Sequence, residues 1–361
     1  MKYILKMSLV LVTISMFSCN KNDTAKDIQN IALADDYLER IDSLIQIKEP
    51  HFFNGVILIS KDDDIVYKKE YGYSDFDTKK PISLENKFRI FSNSKQVTAV
   101  LILREVENGT IDLHKPIKNY LPNFNPSWAD SVTIHHLLNM SSGVTDINKP
   151  LAFELGTDFY YSNPAYGLLS RILENVKGKK FAEVANSLFR ELDMKNSYAY
   201  EFGQTDANLI DGHWIFEDDF RIATFEEYKF TEESWKEFLP GGGMVSNAYD
   251  LNLWDKKLHN GGILKEETYH LMITTDVIDN TEIDKDLKYG YGVNINENEP
   301  IKYIGHRGRG MGFVNIKIYV PDKKLDIIVL ENVYHDHEDP KVVYHFETKI
   351  RDIVLSSNLV K

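Results

Sequence analysis

Apolar residues recur at helical spacing between Ile31 and Ile47 (Leu33, Tyr37, Leu38, Ile41, Leu44, Ile45), which predicts an amphipathic helix. Gly55 to Ser60 is then continuously apolar and of strand length. The polar run Lys61-Asp62-Asp63-Asp64 predicts a turn, and Ile65 to Tyr73 a returning strand, so the two make a hairpin. From Asn93 to Glu107 the pattern is helical again, stopped by Asn108-Gly109. Its middle, Val97 to Leu103, is apolar almost all round, as expected of a helix buried inside a domain.

The stretch Asp112 to about Asp284 reads as helices and long loops. Thr133 caps a short helix through Asn139, Tyr166–Val176 and Phe181–Leu192 are helical, and Ser246 or Asn247 caps a helix to His259. Strand patterns return at Tyr289–Ile295 and Ile301–His306. Phe313–Val320 alternates, placing Val314, Ile316, Ile318 and Val320 on one face, and Leu325–Leu330 follows the turn Pro321-Asp322-Lys323-Lys324. A last helix is expected over Pro340–Leu355. Strands at both ends around a helical insert predict an α/β (α+β) fold. Its antiparallel sheet is built from N- and C-terminal segments, with helices on both faces and an inserted, mainly helical lobe at about residues 112–284.

The first residues carry a different signal. Lys2 and Lys6 precede an apolar stretch from Met7 to Phe17, too short to span a bilayer comfortably, and Ser18 stands before Cys19, the only cysteine. This is the pattern of a lipoprotein signal peptide (residues 1–18), although Phe17 is bulky for such a site. Cys19 is then the lipidated residue, 19–30 a polar tether and 31–357 the folded domain. A diacylated Cys19 would hold the protein at a bacterial membrane, on the periplasmic or cell-surface side. Composition is that of an ordinary globular chain, with 361 residues, 43% apolar and 27% charged. The net charge of −13 argues against nucleic acid as a partner, since no basic surface is available to release counterions.

Candidate chemistry begins at Ser92-Asn93-Ser94-Lys95. A serine and a lysine three residues apart at the start of a helix share one face and can meet. A serine hydroxyl is a weak nucleophile until a base takes its proton, and a lysine serves as base only when neutral, which burial favours. The same spacing recurs at Ser18 to Lys21, so the pattern alone is not specific. Tyr161-Ser162-Asn163 lies in a polar and aromatic loop leading into a helix, where a tyrosine can relay protons and an amide can hold Lys95 or a substrate; a simple capping loop would look the same. Gly305-His306-Arg307-Gly308-Arg309-Gly310 alternates glycines at the end of a strand, which lets backbone approach a ligand closely.

The three elements in this order resemble the class C β-lactamase and D-Ala-D-Ala carboxypeptidase family of penicillin-recognising serine hydrolases. Phe88-Arg89-Ile90, the segment Thr133 to Val144, Gly242 to Asn247 and Tyr289-Gly290-Tyr291-Gly292 extend the likeness over roughly Phe52 to Leu330. The resemblance implies a cofactor-free and metal-free acyl-enzyme mechanism on a small peptide, ester or β-lactam-like substrate. Ser92 is the implied nucleophile, Lys95 and Tyr161 share the proton transfers, Asn163 positions Lys95 and substrate, and the N–H groups of Ser92 and Arg309 form the oxyanion hole. Which of Lys95 and Tyr161 deprotonates Ser92 stays open. Where β-lactamases carry Lys-Thr-Gly this chain has His306-Arg307-Gly308, a triplet nearer the esterase and D-aminopeptidase branches. Arg307, with Gly308, is a candidate substrate-binding group; Arg307 and Arg309 either supply a carboxylate site or face solvent.

The expected function is therefore a serine hydrolase for amides or esters, with D-amino-acid peptides of the cell wall among the candidates. A true β-lactamase and a non-catalytic scaffold or sensor are the alternatives. His335-Asp336-His337-Glu338-Asp339 reads as a solvated turn before a helix rather than a metal site, and the adjacent His135 and His136 diverge on a helix and make a poor ligand pair. Tyr160, Trp214 or Trp235 are candidate pocket aromatics, and Gly241-Gly242-Gly243 a candidate loop at the cleft edge.

Overall fold

The computed structural model describes residues 36–361 apart from 217–218, 286 and 298–300. The signal peptide, Cys19 and the whole tether lie outside the described residues, as does the start of the first predicted helix, which is seen as Tyr37–Leu44. Tyr37 to Lys361 forms one compact unit.

Its centre is a seven-stranded antiparallel sheet. In spatial order the strands are Lys288–Tyr289, Asn294–Asn296, Tyr303–Gly310, Phe313–Val320, Leu325–Glu331, Gly55–Lys61 and Asp64–Tyr71. The two ends of the chain meet where Gly55–Lys61 pairs with Leu325–Glu331, from Gly55 opposite Glu331 to Lys61 opposite Leu325. The hairpin turn at Asp62-Asp63 holds both residues at positive φ (49° and 73°), the backbone that a two-residue hairpin requires and that aspartate tolerates.

Side chains alternate across a strand, so each buried strand feeds two cores. Val56, Leu58, Ile328 and Leu330 face the central helix Ser94–Glu107 and the inserted lobe. Ile57, Ile59, Ile327, Val329, Ile316 and Ile318 face the opposite way. There they pack with Tyr37 and Ile41 of the first helix and Phe346, Ile350 and Val354 of the helix His345–Leu355. Helices thus cover both faces, as the pattern predicts. Val97 to Leu103 are all buried, matching the apolar girdle of the central helix. Each fully buried aliphatic side chain contributes roughly 1.5–3 kcal/mol.

Three expectations are corrected. Tyr289–Ile295 is not one strand but two short ones around Gly290-Tyr291-Gly292, because Gly292 adopts φ +72° and turns the chain. The last predicted helix is interrupted at Tyr344 into Pro340–Val343 and His345–Leu355. The inserted lobe also carries strands: the hairpin His213–Phe216 with Asp219–Ile222, extended in parallel by Val333–His335. No helix among the described residues is long and apolar enough to cross a membrane.

Candidate active site

Ser92 lies in a short 3-10 turn, Phe91–Asn93, that opens directly into the central helix. The preceding Phe91 is held at φ +43°, a left-handed backbone that costs a bulky residue about 1–3 kcal/mol and is typical of functional turns. The strand Tyr303–Gly310 runs against this turn. A Cβ on Gly308 would come 2.3 Å from the Ile90 carbonyl oxygen and 2.5 Å from Asn315 Oδ1; one on Gly310 would strike the Phe91 ring. The glycines therefore bring strand backbone against the backbone that carries Ser92. Gly308 thus approaches the Ile90 backbone and does not stand on the walls of the cavity at Ser92. Beneath the turn, Asn93 Nδ2 donates to Asn315 Oδ1 at 2.5 Å.

Lys95 is fully buried and meets three acceptors: Ser92 Oγ at 3.1 Å, Asn163 Oδ1 at 2.8 Å and the Gly241 carbonyl at 2.7 Å. The last contact arises because Pro240 and Gly241 sit in the final turn of the helix Glu232–Gly242, whose end carbonyls have no intrahelical partner. Thr98 Oγ1 takes the Pro240 carbonyl at 2.6 Å. Gly241-Gly242-Gly243 is thus buried behind Lys95, not at the cleft edge. A Cβ on Gly241 would sit 3.4 Å from Lys95 Nζ. Burial pulls the Lys95 ammonium down to about 7, so both protonation states are populated near neutrality.

Asn163 opens the helix Asn163–Lys177, three residues earlier than the apolar pattern suggests, because Ser162 caps it by accepting from Ala165 N–H at 3.0 Å and Pro164 fits the first turn. That cap sets Asn163 on Lys95 and leaves Tyr161 one residue outside the helix. The Lys95 ammonium stands 4.7 Å from the Tyr161 ring centroid, and Tyr161 shares a cavity wall with Ser92. Burial, the largest influence, raises the Tyr161 phenol well above its ordinary range, and the Ser92 contact opposes it.

His306 is buried beside this group. Its Nδ1 lies 2.5 Å from the Arg307 carbonyl, which can only accept, so Nδ1 carries the proton and Nε2 receives the Tyr289 hydroxyl at 3.2 Å. Burial and the Lys95 charge lower His306 to about 3, so it is a neutral positioning group and not a cation. Arg307 does not face solvent: the guanidinium is buried, and Nε donates to Asp284 at 3.0 Å. Arg309 is exposed, 5.9 Å from the Tyr344 ring.

A cavity of about 300 Å³ opens at Ser92, with Tyr161, His306, Arg307 and Arg309 on its walls. Its remaining walls include Asp279, Asp284, Asn294 and Tyr344, none of which the sequence patterns singled out. Tyr289 was visible only as part of a glycine-containing motif. Trp235 is instead buried against Arg89, and Trp214 packs between Tyr228 and Tyr334. Tyr160 is exposed outside the walls of this cavity. His135 bonds Tyr291 at 2.7 Å and His136 completes the Thr133 cap. The run 335–339 ends in Asp339, which caps the helix Pro340–Val343.

Residues 40–350 match the family model described as Beta-lactamase. The chain belongs to the beta-lactamase family. This family, with its penicillin-binding-protein-like relatives, comprises hydrolases that are generally serine acyl-enzyme hydrolases. A penicillin-binding protein of Bacillus subtilis (strain 168) is 25% identical over 323 residues, covering 80% of this chain and 70% of that protein. Protein flp of Staphylococcus aureus (strain NCTC 8325 / PS 47) is 26% identical over 350 residues, covering 88% and 67%. The D-amino acid amidase of Ochrobactrum anthropi SV3, solved with L-phenylalanine amide, shares the fold with a TM-score of 0.75 at 19% identity, over 89% of this chain and 98% of that one.

Proposed function

We propose that the protein hydrolyses amides or esters through an acyl-enzyme on Ser92, with D-amino-acid peptides of the cell wall as the finer candidate. The observation that carries this reading is the buried Lys95, held between Ser92 Oγ, Asn163 and Gly241 and poised near neutrality. Neutral Lys95 takes the Ser92 proton as Oγ attacks the carbonyl carbon. The N–H groups of Ser92 and Arg309 receive the developing oxyanion, and the contact of Gly308 with Ile90 supports their closeness. Tyr161, kept protonated by its raised pKa, gives its proton to the leaving group and takes one back from the Lys95 ammonium, so the net transfer runs from Ser92 to the departing amine or alcohol. Water deacylates the enzyme by the reverse proton path. The likeness to D-amino acid amidase supports an amide substrate.

A β-lactamase reading is less favoured, because the usual lysine of the Lys-Thr-Gly strand is here a neutral His306 and the Arg307 charge is matched by Asp284. Labelling with a fluorophosphonate tests the main reading: the wild type labels and Ser92→Ala does not. Equal labelling of the two would reject the acyl-enzyme and favour a non-catalytic scaffold. We also propose that Cys19 is lipidated and tethers the enzyme at the membrane, on the strength of the Lys2 to Cys19 pattern. Mass spectrometry of the mature N-terminus is expected to show a diacylglyceryl Cys19; an unmodified terminus elsewhere would sink this.

A further inference from the structure

The wall of the Ser92 cavity holds a charge-bearing group that the proposed proton transfers do not use. Asp279 is 2% exposed and lines the same cavity as Ser92, Tyr161 and His306. Its Oδ1 accepts from the Thr281 N–H at 2.9 Å and the Thr281 hydroxyl at 2.6 Å, and its Oδ2 accepts from Asn294 Nδ2 at 2.8 Å. Three donors fix the carboxyl, and of its four acceptor sites one, on Oδ2, stays open. Among the described residues no lysine, arginine or histidine forms an ion pair with it. The nearby acid Asp284 is itself bound to Arg307. A buried carboxylate without a cation is costly, and its pKa rises accordingly, from burial first and from Asp284 as well. A cationic group entering the cavity would supply the missing charge.

We infer that Asp279, held by Thr281 and Asn294, is the subsite for a protonated primary amine, so that the substrate is an amide or ester whose scissile carbonyl lies close to a free ammonium group. This rests on the acyl-enzyme reading of Ser92 and narrows its substrate class to aminoacyl compounds with an unblocked amine. The cavity, at the small end of ligand pockets, suits a single aminoacyl unit. An ammonium bound there hydrogen-bonds to Asp279 and favours its charged form. An acylated amine offers no such charge and leaves the carboxyl uncompensated.

The test uses the wild-type chain with alanine p-nitroanilide in both configurations, each against its N-acetyl counterpart, alongside fluorophosphonate labelling of Ser92. The free amine is expected to be preferred by about tenfold to a hundredfold in kcat/KM, the range of a charged hydrogen bond made or lost. In Asp279→Asn that ratio is expected to collapse towards unity, chiefly through KM. A labelled wild type that hydrolyses the acetylated substrates as well as the free amines overturns the subsite while leaving the Ser92 reading intact. A preference that survives unchanged in a folded Asp279→Asn also overturns it. A wild type that does not label overturns both. Should Asp279→Asn fail to fold, the absence of a free-amine preference in the wild type still overturns the subsite.

Discussion

Replacing Lys95 by methionine is expected to lower kcat/KM by about a thousandfold to ten-thousandfold, the upper range for losing a general base in a serine hydrolase. Methionine keeps the length and fills the buried site, so the loss reports the amine rather than a cavity. The same role sets the pH dependence. Only the neutral amine takes the Ser92 proton, and burial places its pKa at about 7. Below that value the active fraction falls about tenfold per pH unit, and above it the rate levels off. His306, lowered to about 3, and Tyr161, raised well above 10, do not titrate in this interval. Glu347 is also raised to about 7, but it belongs to the helix on the opposite face of the sheet. A limb caused by Glu347 would persist in Lys95→Met, whereas a limb caused by Lys95 disappears. A wild-type profile flat from pH 5 to 8 would remove Lys95 from the role of base.

Gly308→Ala is expected to destabilise the protein by about 3 kcal/mol, at the high end for overpacking, and to reduce kcat/KM about a hundredfold. The added methyl group has no room: it meets the Ile90 carbonyl oxygen at 2.3 Å and the Asn315 amide at 2.5 and 3.1 Å. Asn315 is itself tied to Asn93, and Ile90 is backbone two residues before the nucleophile, so neither yields cheaply. The accommodating movement separates the strand from the Phe91–Asn93 turn and spoils the alignment of Ser92 with Arg309. Urea denaturation and steady-state kinetics measure the two losses. Wild-type stability together with wild-type turnover in the variant would show that this contact does not position the nucleophile.

These two residues mark the boundary between pattern and packing. The serine–lysine spacing at a helix start, the tyrosine and asparagine before a second helix, and the alternating glycines on a late strand were legible because each is a local arrangement with a local physical reason. The same holds for the sheet: the continuous apolar run Val56–Ile59 and the alternation at Val314–Val320 report buried strands, and the apolar girdle of Val97–Leu103 reports a buried helix. What failed locally failed for identifiable causes. Gly292 broke a strand that its apolar neighbours suggested, and Gly241, which looks like loop, lies in the last turn of a helix, where its own carbonyl and that of Pro240 find partners in Lys95 and Thr98.

The sequence by itself determined the layered architecture, the family resemblance and the motif residues Lys95, Tyr161, Asn163 and His306 around Ser92, since these depend on periodicity and on short spacings along the chain. Only the tertiary structure decided what state those residues are in. The depressed Lys95, the neutral His306 and the matched Arg307–Asp284 pair depend on burial and on partners brought from other parts of the chain. Asp279 is the clearest case. Nothing in its neighbours along the chain distinguishes it, and its meaning lies in being a carboxyl buried on a catalytic cavity wall without a cation, a property that exists only once the chain is folded.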